Sequence, residues 1–583
     1  MEQPQAIQPL SKPIPVSLLL LVAVAVHLPL LLMELPLSSY NANFHIFFAS
    51  HYLHHWFNPW NTKWYAGFTQ TTFPPLSQQW VAVAARVFGL DLGYMAVQLA
   101  AILFLVVGVY RFARLWASPR AASIAALASI FLGSESFLVY SGGQLATTFA
   151  TAVYLNAVSF LYEWTRYGGW RSFIKAAALF TVAAATHGAT LLFATIFFAL
   201  PVLILASFKS EDERVSTGGF WARTIAFTII ACALMLVVVL PFWLALLNHQ
   251  AAATPYANPT RANYILSPHW GLNYFIVPYG AVILALPFIF FRGSAVARLR
   301  PLLFGFWIAF LIGLGGTTPA GQVLLGHAFE TLTMERFSYW ATLLALPFVG
   351  ILAEELIHRF GSWAIVGLTV LAAASCGLAV AWSMYSTPDA EQFDVAPVAE
   401  WLNRAGHDQY RYFTLGFGNQ ISRLAVLTDA ESIDGEWHPG RTLTELEEYA
   451  GGPLTDSQSY GEKGMDALRA VLKHADNYGV KWVFVRDHSY DPLLYFAGWR
   501  AVDSLEDNTI VVWTKDGVPP AMPLNSPQMP PAWQGLLWGT CPMGSSIIAI
   551  LVLLVPDKKR RAMPVSQPVL ANDENSIFGR LVS

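Results

Sequence analysis

Residues 16–33 read VSLLLLVAVAVHLPLLLM, and residues 34–76 continue ELPLSSYNANFHIFFASHYLHHWFNPWNTKWYAGFTQTTFPPL. The first stretch has no charge and approaches the ~20 residues that cross a bilayer core as a helix. The second is unlike an ordinary connection. It carries His45, His51, His54 and His55, then Tyr52, Trp56, Trp60, Trp64 and Tyr65, and closes on Pro74-Pro75. Aromatic rings with a polar edge favour the membrane–water boundary, so this loop is expected to lie on the bilayer and shape a polar cavity.

The rest of the chain extends that reading. Of 583 residues, 55% are hydrophobic and 12% charged, about half the ~25% charged share of soluble domains. Apolar runs recur near 15–33, 93–113, 121–139, 146–163, 172–186, 189–206, 221–246, 273–291, 301–315, 337–356, 363–384 and 534–555. Each must satisfy its own backbone polar groups in hydrocarbon, which a helix does. The expected fold is therefore an α-helical polytopic membrane protein of about twelve transmembrane helices. Residues 77–89 are apolar but short, and suit a re-entrant or interfacial helix. The first run lacks a basic start and a small-residue cleavage site, so it is expected to stay as an anchor.

Charges orient the chain. Arg111, Arg114 and Arg120 share one connection, Arg166, Arg171 and Lys175 another, and Arg292, Arg298 and Arg300 a third. Lys209 with Arg214, His358 with Arg359, and Lys558 to Arg561 fall on the same side. The positive-inside rule then makes both termini cytoplasmic, as expected for a multi-pass protein of a bacterial inner membrane. Four units follow: residues 1–386 with the long first outer loop 34–76; an outward-facing α/β domain, 387–531; a last transmembrane helix, 532–556; and a basic, disordered cytoplasmic tail, 557–583. Strand-like runs at 410–417, 481–486 and 509–514 alternate with helix-like 395–405 and 463–478 in the α/β domain. The net charge of −3 is uninformative, and no basic block points to a nucleic-acid partner. Cys232, Cys376 and Cys541 lie in apolar runs and read as small packing residues. No phosphate loop or dinucleotide fingerprint is present, which argues against an ATP-driven pump or a nucleotide-sugar enzyme.

Several residues carry candidate chemistry. Glu135 interrupts an apolar span, and ionisable groups at that depth tend to face a cavity; it is either a general base or acid, or a solvated helix-end carboxylate. Gly142-Gly143, just before Gln144, either lets a ligand or another backbone approach or makes a tight turn between helices. His45, near the cavity mouth, can bond phosphate or relay a proton. His187 marks the outer turn of a helical hairpin. His51 and His55 share a helix face, but no third ligand stands at zinc-site spacing, so no metal site is assigned. Arg336 opens a late span beside Glu335; it either clamps phosphate with its fork of donors or anchors the helix by snorkelling. Trp60 and Trp64 can stack on a sugar or anchor the loop at the interface.

The order Asn41-Ala-Asn-Phe-His45, Trp60 with Trp64, Gly67 with Pro74-Pro75-Leu76, and Glu335-Arg336-Phe337 resembles a bacterial family of polytopic membrane proteins. That family is labelled 6-pyruvoyl-tetrahydropterin-synthase-related and is similar to the GT-C membrane glycosyltransferases. Tyr410-Arg-Tyr, Ile433-Asp-Gly435 and Tyr478-Gly-Val-Lys-Trp-Val483 add to the likeness. The resemblance implies a GT-C-like fold and a transferase that moves a sugar from a polyprenyl-phosphate-linked donor in the membrane lipid to an envelope acceptor. It also implies an aspartate early in the first outer loop, and leaves room for a divalent metal. Here that place holds Asn41 and Asn43, and an amide cannot take a proton near neutral pH. Glu34, at the end of the first span, either substitutes for it or is an interfacial carboxylate. The expected site is thus Glu135, His45 and Glu34 for catalysis, with Asn41, Asn43, Trp60, Trp64, Gln144, His187, Glu335 and Arg336 for substrate. Two other readings stay open: a transporter or flippase of a lipid-linked glycan, and a non-catalytic partner of an envelope protein.

Overall fold

The computed structural model describes residues 12–208, 217–248, 258–385, 393–441, 443, 446, 452–523 and 529–556. Lys209, Arg214, the start of the 387–531 unit and the tail 557–583 lie outside the described residues. Helices occupy all twelve expected stretches, from Val16–Leu32 to Ala532–Leu554. Among the described residues, eight of these helices are long and apolar enough to cross a membrane, or nine if one bent pair is a single span. The expected twelve therefore reduces on length: Val16–Leu32 and Trp170–Thr186 have 17 residues each and Arg300–Gly313 has 14. The bent pair, Pro268–Tyr279 with Val282–Ala295, turns by 67° at Gly280, whose φ is +46°.

The segment expected as a short re-entrant helix forms Leu76–Phe88, 13 residues with Leu76, Val81, Ala82 and Ala85 turned inward. Close packing between two neighbouring helices is set by glycine. The Cβ of a residue at 350 would lie 2.2 Å from the Ala121 carbonyl, so glycine there lets the Glu335–Phe360 helix pack directly on Pro119–Ile130.

The α/β segment forms a four-stranded sheet in the order Arg411–Leu415, Val480–Val485, Ile510–Thr514, Arg500–Leu505. The first pair is parallel and the other two are antiparallel. Its core is continuous with the first loop. Phe44, Phe47, Phe48, Trp64, Tyr65, Phe68 and Phe73 pack in one cluster with Phe413, Leu415, Ile433, Val483 and Val485. Polar ties fix the same contact: Arg423 grips Asp91 through two bonds of 2.7 and 2.9 Å, Asn419 donates to the Ser39 carbonyl (2.8 Å), and Trp437 donates to Thr72 (2.8 Å). Asp91 heads the Leu90–Ala113 helix, where a carboxylate also suits the helix dipole.

Candidate functional site

The first loop is seated by a close approach. The Tyr40 and Asn41 N–H groups donate to the Ser141 and Gly142 carbonyls (3.1 and 3.2 Å), and the Asn41 side chain donates to Gly142 as well (3.0 Å). Gly143 has φ +59°, and a Cβ there would stand 2.2 Å from Ser39 Oγ and 2.6 Å from the Ala42 nitrogen. Of the two roles open to Gly142-Gly143, the pair serves the approach of another backbone. Asn43 donates weakly to Leu37 (3.5 Å). Both asparagines are thus spent on holding the loop.

That seating starts the Ala42–His54 helix and points His45 inward. The ring packs edge-on to Phe44 and Phe73, with centroids 5.4 and 6.1 Å away. The Gln78 amide is satisfied when its oxygen accepts from His45 Nδ1–H at 2.9 Å and its nitrogen donates to Pro75 and Pro74. This leaves Nε2 as an acceptor. Burial, with the Arg336 charge adding, pushes His45 down to about 3, so the ring is neutral at pH 7. His187 also contacts Phe73, with ring centroids 6.1 Å apart, and bonds Thr190 Oγ1 at 2.7 Å. Burial, then Arg336 and His45, holds it well below the usual imidazole range.

Arg336 is the charge common to both rings. Its Nη2 donates to Gln144 Oε1 at 3.0 Å, which also accepts from Thr147 (3.2 Å). Its Nε is buried without a hydrogen bond, and Glu335, 3.9 Å away, forms a long ion pair with it. Glu335 also accepts from Thr333, and its second oxygen has no hydrogen-bond partner. One helical turn along from Arg336, Tyr339 faces Glu135. Glu135 is 1% exposed and neither carboxylate oxygen has a full hydrogen bond. Its neighbour Ser134 bonds Thr342 at 2.6 Å, and Gly133 abuts the Val277 carbonyl.

The structure therefore brings His45, Gln144, His187, Glu335 and Arg336 around one centre, with Glu135 buried beside Tyr339, one helical turn further along from Arg336. Glu34 is exposed at the end of the first helix, in a left-handed turn of φ 58°. Trp60 covers Gly67. Trp64 is fully buried: one face stacks on Phe47 at 3.9 Å, and Gly435 presses against the indole. It has no face for a sugar, because packing the ring against two elements removes more apolar surface from water than leaving it open. His51 bonds the Asn58 carbonyl (2.7 Å) and closes the helix end.

Three site residues escaped the sequence reading. Gln78 sets the His45 tautomer, Phe73 contacts both imidazoles, and Trp437 packs edge-on to Phe73 at 5.0 Å. Only Phe73, before Pro74-Pro75, carried a local signal. The α/β segment also holds a buried carboxylate of its own. Asp434 accepts from the Thr455 N–H (2.9 Å), and burial raises it to about 6 against the pull of its backbone bonds and Arg441. Among the described residues, no three His, Cys, Asp or Glu side chains are placed to hold a metal ion, so the residues present do not fit one. A groove of about 310 Å³ lined by Leu356, Phe360, Trp363 and Leu371 is apolar and shares no residue with this centre.

Residues 71–386 match the model of the 6-pyruvoyl-tetrahydropterin synthase related domain, a membrane protein. The chain belongs to this family. By sequence, no curated protein matches this family member. Its fold is similar to ArnT from Cupriavidus metallidurans bound to undecaprenyl phosphate, with TM-score 0.53 and 12% identity over 85% of this chain and 98% of that one. It is also similar to the Archaeoglobus fulgidus oligosaccharyltransferase in complex with Zn and sulfate (0.50, 12%, 83% and 69%). A third likeness is to arabinofuranosyltransferase AftD from Mycobacteria (0.51, 15%, 86% and 40%), so this chain spans under half of that protein. These are GT-C glycosyltransferases, and at such identities the likeness is one of fold.

Proposed function

We propose that this family member is a GT-C-type membrane glycosyltransferase that uses a polyprenyl-phosphate-linked sugar on the outer face of a bacterial inner membrane. The observation that carries the reading is Arg336: a guanidinium held by Gln144, with a buried Nε–H that makes no hydrogen bond and only a long ion pair to Glu335, and a charge felt by two neutral imidazoles. A half-buried cation with a donor that makes no hydrogen bond is suited to a phosphate. The fold likeness to a transferase bound to undecaprenyl phosphate supports that choice. The basic connections on one side of the bundle support the outward placement of the site and the α/β domain.

In this mechanism the acceptor hydroxyl gives its proton to Glu135 and hydrogen-bonds His45 Nε2 as it approaches. Its oxygen attacks the anomeric carbon, the bond from that carbon to the phosphate oxygen breaks, and the electron pair leaves on the phosphate. Arg336 stabilises the charge that develops there. Trp437 and Phe73 roof the centre, and the α/β domain recognises an envelope glycan, lipid or protein acceptor. No step passes through a metal.

Purified protein in nanodiscs, given polyprenyl-phosphate-linked sugars and membrane acceptors, tests the reading. Turnover is expected in the wild type, and a fall of about 10²–10⁴ in Glu135→Gln, the usual worth of a general base. Equal turnover would remove Glu135 from catalysis. The asparagines at 41 and 43, both tied to backbone carbonyls, favour one rival, a non-catalytic envelope partner. Stable co-purification with a partner, together with full cellular function in a triple Glu34, Glu135 and Glu335 amide variant, would establish it.

A further inference from the structure

Two connections beside Arg336 end in exposed aliphatic tips. Ile265 and Leu266 are 76% and 81% exposed, and Val323 and Leu324 are 78% and 54% exposed. Mobile, disordered-looking tips would need no explanation, but these project from a braced platform. The Tyr264 N–H donates to Thr317 Oγ1 (2.9 Å) and the Gly316 N–H to the Ala262 carbonyl (3.1 Å). Arg261 donates to the Phe329 and Leu332 carbonyls, both at 3.1 Å. Gly315, with φ +57°, lets the two backbones meet, since a Cβ there would stand 2.5 Å from the Thr260 carbonyl. The platform reaches the site directly, because Thr260 Oγ1 accepts from the Met334 N–H (3.0 Å), two residues before Arg336.

Ordered, solvent-directed aliphatic side chains on a fixed scaffold mark an interaction surface. Ile276 and Leu284 are also exposed on the bent helix pair that follows Leu266 in the chain, and this pair is apolar enough to enter a membrane. Half-buried Trp270 lies between, a residue type favoured at the bilayer boundary. We infer that Ile265, Leu266, Val323 and Leu324 dip into the boundary of the bilayer and form the side from which a lipid-tailed phosphate reaches Arg336. The bilayer contact stands on the exposure and bracing above; the lipid-tailed ligand rests on the function proposed here.

Full-length protein in nanodiscs, with Cys232, Cys376 and Cys541 replaced by alanine, is labelled with an environment-sensitive fluorophore at Leu266→Cys or Val323→Cys. A label at Asp503→Cys, on the exposed edge strand, gives the aqueous baseline. Lipid-borne nitroxide is expected to quench 266 and 323 and to spare 503, while aqueous iodide does the reverse. Iodide quenching at 266 and 323, or protection of both from either quencher as under a protein partner, would overturn the inference. A second arm uses Leu266→Ser with Val323→Ser. Capture of a long-chain polyprenyl phosphate is expected to slow about tenfold, the equivalent of ~1.4 kcal/mol, with no change for a short, water-soluble isoprenyl phosphate. Unchanged capture of both would refute the entry side. Lipid quenching with no carrier binding even in the wild type would instead refute the proposed function and leave the bilayer contact standing.

Discussion

Replacing Arg336 tests the proposed site most directly. In the wild type the guanidinium donates one hydrogen bond to Gln144 and leaves its Nε–H without one, with Glu335 3.9 Å away as an ion pair. A phosphate there gains hydrogen bonds between charged groups, worth about 1–3 kcal/mol. Arg336→Ala should therefore weaken polyprenyl phosphate binding by roughly 5- to 150-fold. Arg336→Lys keeps the charge, loses the planar fork, and should fall between. Folding should survive in both, because Gln144 Oε1 keeps the Thr147 hydroxyl and Glu335 Oε1 keeps the Thr333 hydroxyl. The assay is a titration of polyprenyl phosphate into each protein in nanodiscs, with thermal unfolding measured alongside. Three equal affinities with three intact folds would show that Arg336 anchors its helix at the interface and clamps nothing.

Gly143→Ala should unseat the first loop, since its Cβ would meet the Ala42 backbone as well as Ser39 Oγ at a positive φ; a loss above about 2 kcal/mol is expected from thermal unfolding, and a wild-type melting temperature would refute the close-approach role. Asp434 titrates higher folded (about 6) than its ordinary 3.8, so the folded state holds the proton more tightly and the carboxylate costs stability above that range. Glu436, raised by burial with Asp456 and Asp434 nearby, acts with the same sign, and Arg441 opposes it. Asp434→Asn should thus gain up to about 3 kcal/mol over the wild type at pH 7.5, with the gain vanishing below pH 4. A difference that does not change with pH would refute the assignment.

The spans were legible because hydrocarbon demands long apolar runs, and those runs are local. The strands at 411–415, 480–485 and 510–514 were legible for the same reason: each buries a β-branched or aromatic face. Arg500–Leu505 was not, since nearly all its side chains are exposed and RAVDSL has no inward face to betray it. Within the site, Arg336, His45 and Glu135 could be singled out because a polar group among apolar neighbours stands out in sequence. Gln78 and Trp437 could not. Gln78 acts through His45, 33 residues away, and Trp437 reaches Thr72 across 365 residues. Trp64 shows the converse: an aromatic in an interfacial loop looks available for a ligand until a second element, Gly435, is known to cover it.

The shared core of the first loop and the sheet also has a consequence in time. Phe44, Phe47, Phe48, Trp64 and Phe68 emerge from the ribosome early, but their partners Phe413, Ile433 and Val483 come hundreds of residues later. At ~5–20 residues per second, the 365 residues between Thr72 and Trp437 correspond to roughly 20–70 s of synthesis. Throughout that interval the loop presents an uncovered aromatic face after its flanking spans have been made. Chains that stop before the sheet is complete keep that face exposed, which makes them substrates for membrane quality control and makes the early loop the segment most in need of a chaperone.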